Sequence, residues 1–421
     1  MTPPQSPVDY ESFASFEIEA TTGQARAGTL RIGDTELTTP NLFPVINFFG
    51  GGRESALFGG GIHRTIKEFM VGSDRIGGGD FSTYFDGVMM SIASLTDFGI
   101  SRHRFEDYVS TPIQQRGAFQ SFDGMLFIDS GGFKFLSDRG LDGADFDVEI
   151  DQRSAFEIQQ KLGGDLLVNL DRPITPEDPY EVRVEKAKRT AENAAEFLRL
   201  SADTECARYL TVHGYNYAMI DTFLKQLMDV LGSEIARTAF DGIALGSLVP
   251  KKHNKSELIT AVRDCRAVLL DHGFAELPLH VLGISSSSIP LLVAFGVDTF
   301  DSSSYLQTAI NGKYSRSLLR TEQLDDLTDA DFEECGCPVC SSPELVKRMQ
   351  GDAEYQKDIL GPVAVHNLII QKRELADIRA RIVDDGPNGI IDYIESTVGR
   401  HKSMRQFAHM TVNEALGGYS L

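Results

Sequence analysis

No stretch of this sequence is apolar for long enough to span a bilayer, and Met1 to Glu11 lack the basic and apolar regions of a secretory signal. These absences exclude a helical membrane protein and make the cytoplasm the expected location. Lysine is scarce: 14 of the 40 basic residues are lysine, against 61 acidic residues, for a net charge of −21. Such a chain repels polyanions unless its basic residues are concentrated on one surface. A high acid content with few lysines fits a salt-rich habitat, where ions screen the repulsion, and fits an ordinary acidic cytosolic protein nearly as well. Phosphate-binding motifs are also missing. The glycine-rich FGGGRESALFGGGIHR has neither a following GK[ST] nor the dinucleotide spacing. Phe49 to Gln120 therefore reads mainly as flexible loops and an insertion, with Arg53 or Arg64 contacting phosphate as the lesser reading. There is no repeat at solenoid period and no low-complexity tail. Only five cysteines occur; Cys206 and Cys265 lie in helical context and read as small buried apolar residues.

What the chain does have is a recurring pattern. In MLFIDSGGFKF, the apolar run Met125 to Ile128 reads as a strand buried on both faces that stops at Asp129, Ser130, Gly131 and Gly132. The glycines would admit a flat ligand to the backbone, and Phe133 would offer a ring to stack on it. The bland alternative is a strand end with a glycine turn. The pattern returns at Leu166–Asp171 (LLVNLD) and more loosely at Tyr209–Gly214, Gly242–Ser247, Leu279–Gly283 and Val297–Ser302. Helical-length segments such as Gln152–Gly163, Tyr180–Ala202 and Ser256–Leu270 intervene. Adding Leu42–Asn47 and Gly87–Ala93 gives eight strand candidates. Alternating strand and helix means parallel pairing, and eight strands predict a closed (βα)8 TIM-type barrel whose functional groups gather at the C-terminal strand ends. Asp129, Asp171, His213, Gly246, Gly283 and Asp301 all stand at such ends and should face one mouth.

The boundaries follow. Residues 1–40 read as an N-terminal extension with a small antiparallel sheet that could close the barrel's bottom, and 41–327 as the barrel, with 49–122 a divergent insertion over the mouth. Residues 328–421 read as a metal-binding and C-terminal helical segment. There Cys335, Cys337 and Cys340 form C-x-C-x2-C, three soft ligands that need a fourth, and His366 at the start of an amphipathic helix (HNLIIQKRELADIRARI) could supply it. A lone helical histidine is otherwise a surface or core residue. Four protein ligands leave no open position, so the expected zinc is structural. The acids at the mouth suit glycosidic chemistry, one attacking a sugar carbon while another moves a proton; the alternative is that they cap helices. Asp298 reads as such a structural acid. Lys251, Lys252 and Lys255 read as a solvated loop before a phosphate contact.

With DSGGFKF, IQQKLGGDLLVNLD, GIALGSLVP, GVDTFDSSSY and C-x-C-x2-C-x25-H in this order, the chain resembles the tRNA-guanine transglycosylase family over most of residues 16–385. GSLVP, FDSSSY and CPVC look more like the archaeosine-forming branch than the queuosine branch. The resemblance implies a pentosyltransferase that exchanges guanine in a nucleic acid, tRNA first, for a 7-deazaguanine. It implies Asp301 as the nucleophile that forms a covalent Asp–ribose intermediate and Asp129 as general acid/base. Asp171 would read the purine edge with backbone at Gly246 and Ser247, and Phe133 and Leu282 would sandwich the base. The target base must be flipped out. It also implies a homodimer as the common assembly. His213 and Lys134 stand where relatives usually carry Gln, near the base pocket, so the identity of the incoming base stays open. The family's tRNA enzymes commonly carry C-terminal RNA-binding domains, whereas this chain ends at Leu421; the same exchange on DNA is therefore a second expectation, and a catalytically silent nucleic-acid-binding subunit a third.

Overall fold

The computed structural model describes residues 10–49, 61–77, 79–95, 101–132, 150–251, 254–284 and 286–417. Three antiparallel strands come first, β1 (Ala14–Thr22), β2 (Ala25–Ile32) and β3 (Thr35–Thr39). Then follow β4 (Asn41–Pro44), α1 (Ile62–Met70), β5 (Gly87–Ser91), α2 (Arg102–Val109), β6 (Met125–Asp129), α3 (Gln152–Lys161), β7 (Leu166–Val168) and α4 (Tyr180–Ser201). The alternation continues through β8 (Ala207–His213), α5 (Tyr217–Leu231), α6 (Ser233–Thr238), β9 (Gly242–Gly246), α7 (Lys255–His272), β10 (Leu279–Val281), α8 (Ile289–Ala294), β11 (Thr299–Ser302) and α9 (Ser304–Ile310). A hairpin of β12 (Lys313–Ser315) and β13 (Thr321–Gln323) leads into α10 (Asp329–Cys335), α11 (Pro343–Met349), α12 (Gln356–Val383), α13 (Pro387–Tyr393) and α14 (Arg405–Ala415).

Strands β4 to β11 form one parallel sheet of eight, in the order β4-β11-β10-β9-β8-β7-β6-β5. It closes where Val45 bridges Met89 and the Ile46 N–H donates to the Met89 carbonyl at 2.9 Å. All eight strand candidates are present, and the α/β barrel expected from the alternation is the fold. The strands are buried almost throughout because helices cover the outside while Phe43, Met125, Phe127, Leu166, Val168, Tyr209 and Ala244 fill the inside. Leu30, Ile32 and Leu37 of β2 and β3 join that interior cluster, so the N-terminal sheet lies across the end opposite the mouth.

One buried ion pair ties this sheet to the barrel. Asp298, fully buried just before β11, accepts from Arg26 Nε on β2 at 2.7 Å and from the Leu279 N–H at 2.7 Å, with Arg266 Nη2 at 3.5 Å. Asp298 thus sits at the N-terminal end of the strand that carries Asp301 at its other end, a structural acid as its position suggested.

Two sequence expectations need correction. Phe49–Gln120 is not loop throughout: α1 and α2 lie within it, and Arg64, the one exposed residue of the otherwise largely buried α1, lies 3.7 Å from Glu68. Arg53 falls outside the described residues. The helix bearing His366 begins ten residues earlier than expected, at Gln356, and Leu360 to Ile369 are buried on every face. Gly361-Pro362 looks like a breaker in the sequence. In the fold, Gly361 gives the clearance for α1: a Cβ there would meet Thr65 at 2.4 Å. The carbonyl freed by Pro362 is a local cost that the packing on all sides outweighs.

Asp298→Ala should leave two buried guanidinium groups without their acid and lower unfolding free energy by about 3–5 kcal/mol in denaturant titration. A loss under about 1 kcal/mol would show that the pair does not hold the sheet to the barrel.

Candidate active site and metal centre

Parallel strands deliver their last residues to one end, and here they deliver three carboxylates to one cavity of about 510 Å³. Asp129 from β6, Asp171 just beyond β7 and Asp301 from β11 line it, together with Ser91, Gly246, Ser247, Leu282 and Gly283. Each acid has its own set of donors.

Asp129 Oδ2 accepts from the Ser91 hydroxyl at 2.7 Å and from the Gly131 N–H at 3.0 Å. Burial pushes its carboxyl up to about 6, and the Asp171 and Asp301 charges add to this, while the Ser91 and Gly131 donors hold it down. Asp301 Oδ1 accepts from the Gly283 N–H at 2.8 Å and lies 3.2 Å from His280 Nε2. His280 is fully buried, its ring edge-on to Phe127 with centroids 4.9 Å apart, and its Nδ1 is 3.0 Å from Thr299 Oγ1. A carboxylate can only accept, so His280 donates from Nε2 and takes the Thr299 proton at Nδ1. Both contacts fall on Oδ1. Among the described residues nothing hydrogen-bonds to Oδ2.

Asp171 Oδ1 accepts from the Ser130 hydroxyl at 3.3 Å, and His213 Nε2 lies 3.0 Å from Oδ2, although the N–H is poorly aligned for a hydrogen bond. On the other side of the imidazole, Nδ1 is 2.9 Å from Ser247 Oγ, which accepts the Ile174 N–H at 3.0 Å. Ser247 is the one non-glycine residue with positive φ, at 63°, among the described residues. That conformation turns its hydroxyl inward to hold the histidine. Gly132 is required beside Asp171: a Cβ there would meet Oδ1 at 1.7 Å.

The structure thus brings Asp129, Asp171, Asp301, Gly246, Ser247 and Leu282 to one cavity. His213 does not line it but stands behind, against Gly246 and Asp171. Phe133 and Lys134 lie outside the described residues, as does Lys252. Lys251 is engaged by Glu257, with its Nζ 5.1 Å from the Tyr215 ring centre. Three site residues escaped the sequence reading. Ser91 ends the run GVMMS as Asp129 ends its own, a signal that was present. Ser130 was passed over beside Asp129. His280, mid-strand in LHV, was not singled out.

The second centre lies outside the barrel. The Sγ atoms of Cys335, Cys337 and Cys340 and a ring nitrogen of His366 all lie within 4.8 Å of one another. His366 Nδ1 is 3.7, 3.4 and 3.5 Å from the three sulfurs. Sulfur–nitrogen edges of a tetrahedron built on metal bonds of about 2.0–2.3 Å are about 3.5 Å, so the donors fit a bound ion. The Nε2–H faces the Ser315 carbonyl at 2.8 Å, which leaves the Nδ1 lone pair for the metal, and Tyr314 stacks on the ring at 3.7 Å.

Fold and mouth together define a βα barrel whose polar groups converge at the C-terminal strand ends. A family model described as queuine tRNA-ribosyltransferase matches residues 93–397, and the chain belongs to that family. Its relatives include tRNA-guanine(15) transglycosylases of three archaea. That of Pyrococcus abyssi is 25% identical over 377 residues, 88% of this chain and 55% of the relative. Methanopyrus kandleri contributes one at 27% over 377 residues, 88% of this chain and 69% of the relative, and Haloarcula marismortui one at 25% over 306 residues, 71% of this chain and 56% of the relative. The chain spans about half the length of the first and last of these. No helix among the described residues is long and apolar enough to cross a membrane.

Asp129 ionises less readily in the folded protein than in the unfolded chain, so it costs stability above about pH 6 and nothing below about pH 4. Asp129→Asn should therefore raise the melting temperature at pH 7.5, by up to about 3 kcal/mol in stability, with the gain vanishing near pH 4; a pH-independent gain or a loss at pH 7.5 would contradict this. Cys337→Ser should leave the purified protein short of one bound metal ion by elemental analysis and lower its melting temperature, with chelator lowering the wild type toward the variant. Equal melting temperatures with a full metal deficit would count against a structural role.

Proposed function

We propose that this chain exchanges guanine in tRNA for a 7-deazaguanine base through a covalent intermediate on Asp301. The observation that carries the reading is the pairing, in one cavity, of Asp129, whose carboxyl titrates near neutral pH, with Asp301, whose Oδ2 has no hydrogen-bond partner among the described residues. Asp301 Oδ2 attacks C1′ of the flipped nucleotide and the N-glycosidic bond breaks. Its electron pair leaves with the base, which takes a proton from Asp129. The resulting Asp129 carboxylate then removes a proton from the incoming base, whose nitrogen attacks C1′; the ester C–O bond breaks and returns Asp301 to a carboxylate. His280 and the Gly283 N–H fix Oδ1 and so present Oδ2.

Asp171 accepts from the amino and imino N–H groups of the base, with backbone at Gly246 and Ser247 completing the edge and Leu282 covering one face. His213 acts on Asp171 and not on the base. The relatives' names supply tRNA as the substrate class. Cys335, Cys337, Cys340 and His366 would hold zinc; bound there it fixes the fold of the C-terminal segment and takes no part in the exchange. A homodimer and a cytoplasmic location belong to the same reading.

Wild-type protein incubated with labelled guanine and tRNA should label the tRNA and leave an enzyme–RNA adduct on a denaturing gel. Asp301→Asn should abolish both. An adduct persisting in Asp301→Asn would remove that residue from its role, and label entering duplex DNA in place of tRNA would move the substrate to DNA.

A further inference from the structure

In a chain of net charge −21, Lys251–Lys255 (KKHNK) and Arg400–Arg405 (RHKSMR) each carry three Lys or Arg residues with no acid among them. They are far apart in sequence, and the fold places them side by side. Asn254 and Lys255 from the first, Ser403 from within the second and Phe407 just beyond it line one shallow cavity. The reason is the path of α14. Its last residue, Ala415, accepts from the Gln24 N–H at the sheet end of the barrel, and Glu414 pairs with Arg263 well along α7. Its start therefore reaches the end of the barrel where α7 begins, which is the mouth end.

The charges here are unspent. Many exposed basic residues elsewhere have acid partners, as in Arg31 with Glu17 and Glu36, Lys188 with Glu192 and Lys225 with Asp221. Among the described residues none of Lys255, Arg400, Lys402 and Arg405 is in an ion pair. Arg400, Lys402 and Arg405 are exposed, and the segment is held by buried Met404 and by the Arg405 Nε contact to the Gly399 carbonyl at 3.3 Å. The patch is also continuous with the active cavity: Val249 and Pro250 line the cavity, and the chain passes through Lys251 to Lys255 within five residues. Unpaired cations repel one another and leave a net cost that a polyanion removes.

We infer that Lys255, Arg400, Lys402 and Arg405 form a docking surface for the phosphate backbone of the tRNA beside the nucleotide held in the mouth. The partner rests on the proposed function; the patch does not. A strand whose one nucleotide is drawn into the cavity must cross the rim, and here the rim carries cations in an otherwise repulsive surface. Phosphate contacts of this kind position the strand without reading its sequence.

The test is fluorescence-anisotropy binding of labelled tRNA across a salt series, with wild type and the variant K255Q/R400Q/K402Q/R405Q. The expected result is at least a tenfold weaker binding and a salt slope shallower by about 3–4, since each of the four lost phosphate contacts removes about 0.7–0.9 from it. The control K225Q, on the distant α5 surface, should bind as wild type does, and matching melting curves establish that the variant is folded. In exchange assays KM for tRNA should rise with kcat unchanged. Unchanged affinity and slope in the quadruple variant would overturn the inference, and so would competition by duplex DNA but not by unlabelled tRNA. Because binding is read separately from guanine incorporation, a wild type that binds through this patch yet exchanges no base would sink the proposed reaction and not the surface.

Discussion

Three carboxylates in one mouth repel one another, and the rest of the site is the answer to that repulsion. Each acid is held by donors of its own: Ser91 and the Gly131 N–H for Asp129, Ser130 for Asp171, and His280 and the Gly283 N–H for Asp301, with His213 3.0 Å from Asp171. Burial pushes the Asp129 carboxyl up to about 6, and the Asp171 and Asp301 charges add to this. In the proposed reaction, one acid poised between its two states beside another whose outer oxygen is unengaged would separate proton transfer from nucleophilic attack among groups of the same type. The barrel makes this possible because parallel strands deliver their termini together without further design.

Helix α12 joins the metal centre to this frame. Its N-terminal half carries His366 beneath the cysteine knuckle. Further along, Lys372 is bound by Asn41 of β4 and by Asp86, and Arg379 donates to the Gly28 carbonyl at 2.8 Å in the N-terminal sheet. A bound ion thus anchors one end of a strut that also touches the strand at which the barrel closes. That is a sufficient structural reason for a metal far from the chemistry.

The barrel was legible because doubly buried strands are continuous apolar runs, and seven of the eight ended in a polar or glycine signal. The mouth acids were legible for the same reason, since a carboxylate at the end of such a run has few structural uses. The metal cluster was plain in its spacing. The start of α12 was not, because Gly361-Pro362 breaks helices in isolation and only the close approach of α1 explains it. His280 was hidden inside LHV, where alternation gives a core position and no hint that the ring points up at Asp301. His213 was placed near the base from its strand end and from the Gln that relatives usually carry there, whereas in the structure it packs against Gly246 and Asp171. The meeting of KKHNK with RHKSMR depends on the course of α14, which no local pattern announces.

Gly132 has a consequence of its own. Any side chain at this position would collide with Asp171, so the two sites cannot drift independently in descent: a lineage that enlarges residue 132 must first surrender or shorten the acid at 171. Changes along this route would be inherited as a linked pair of substitutions, with the glycine locked in place for as long as the aspartate is kept.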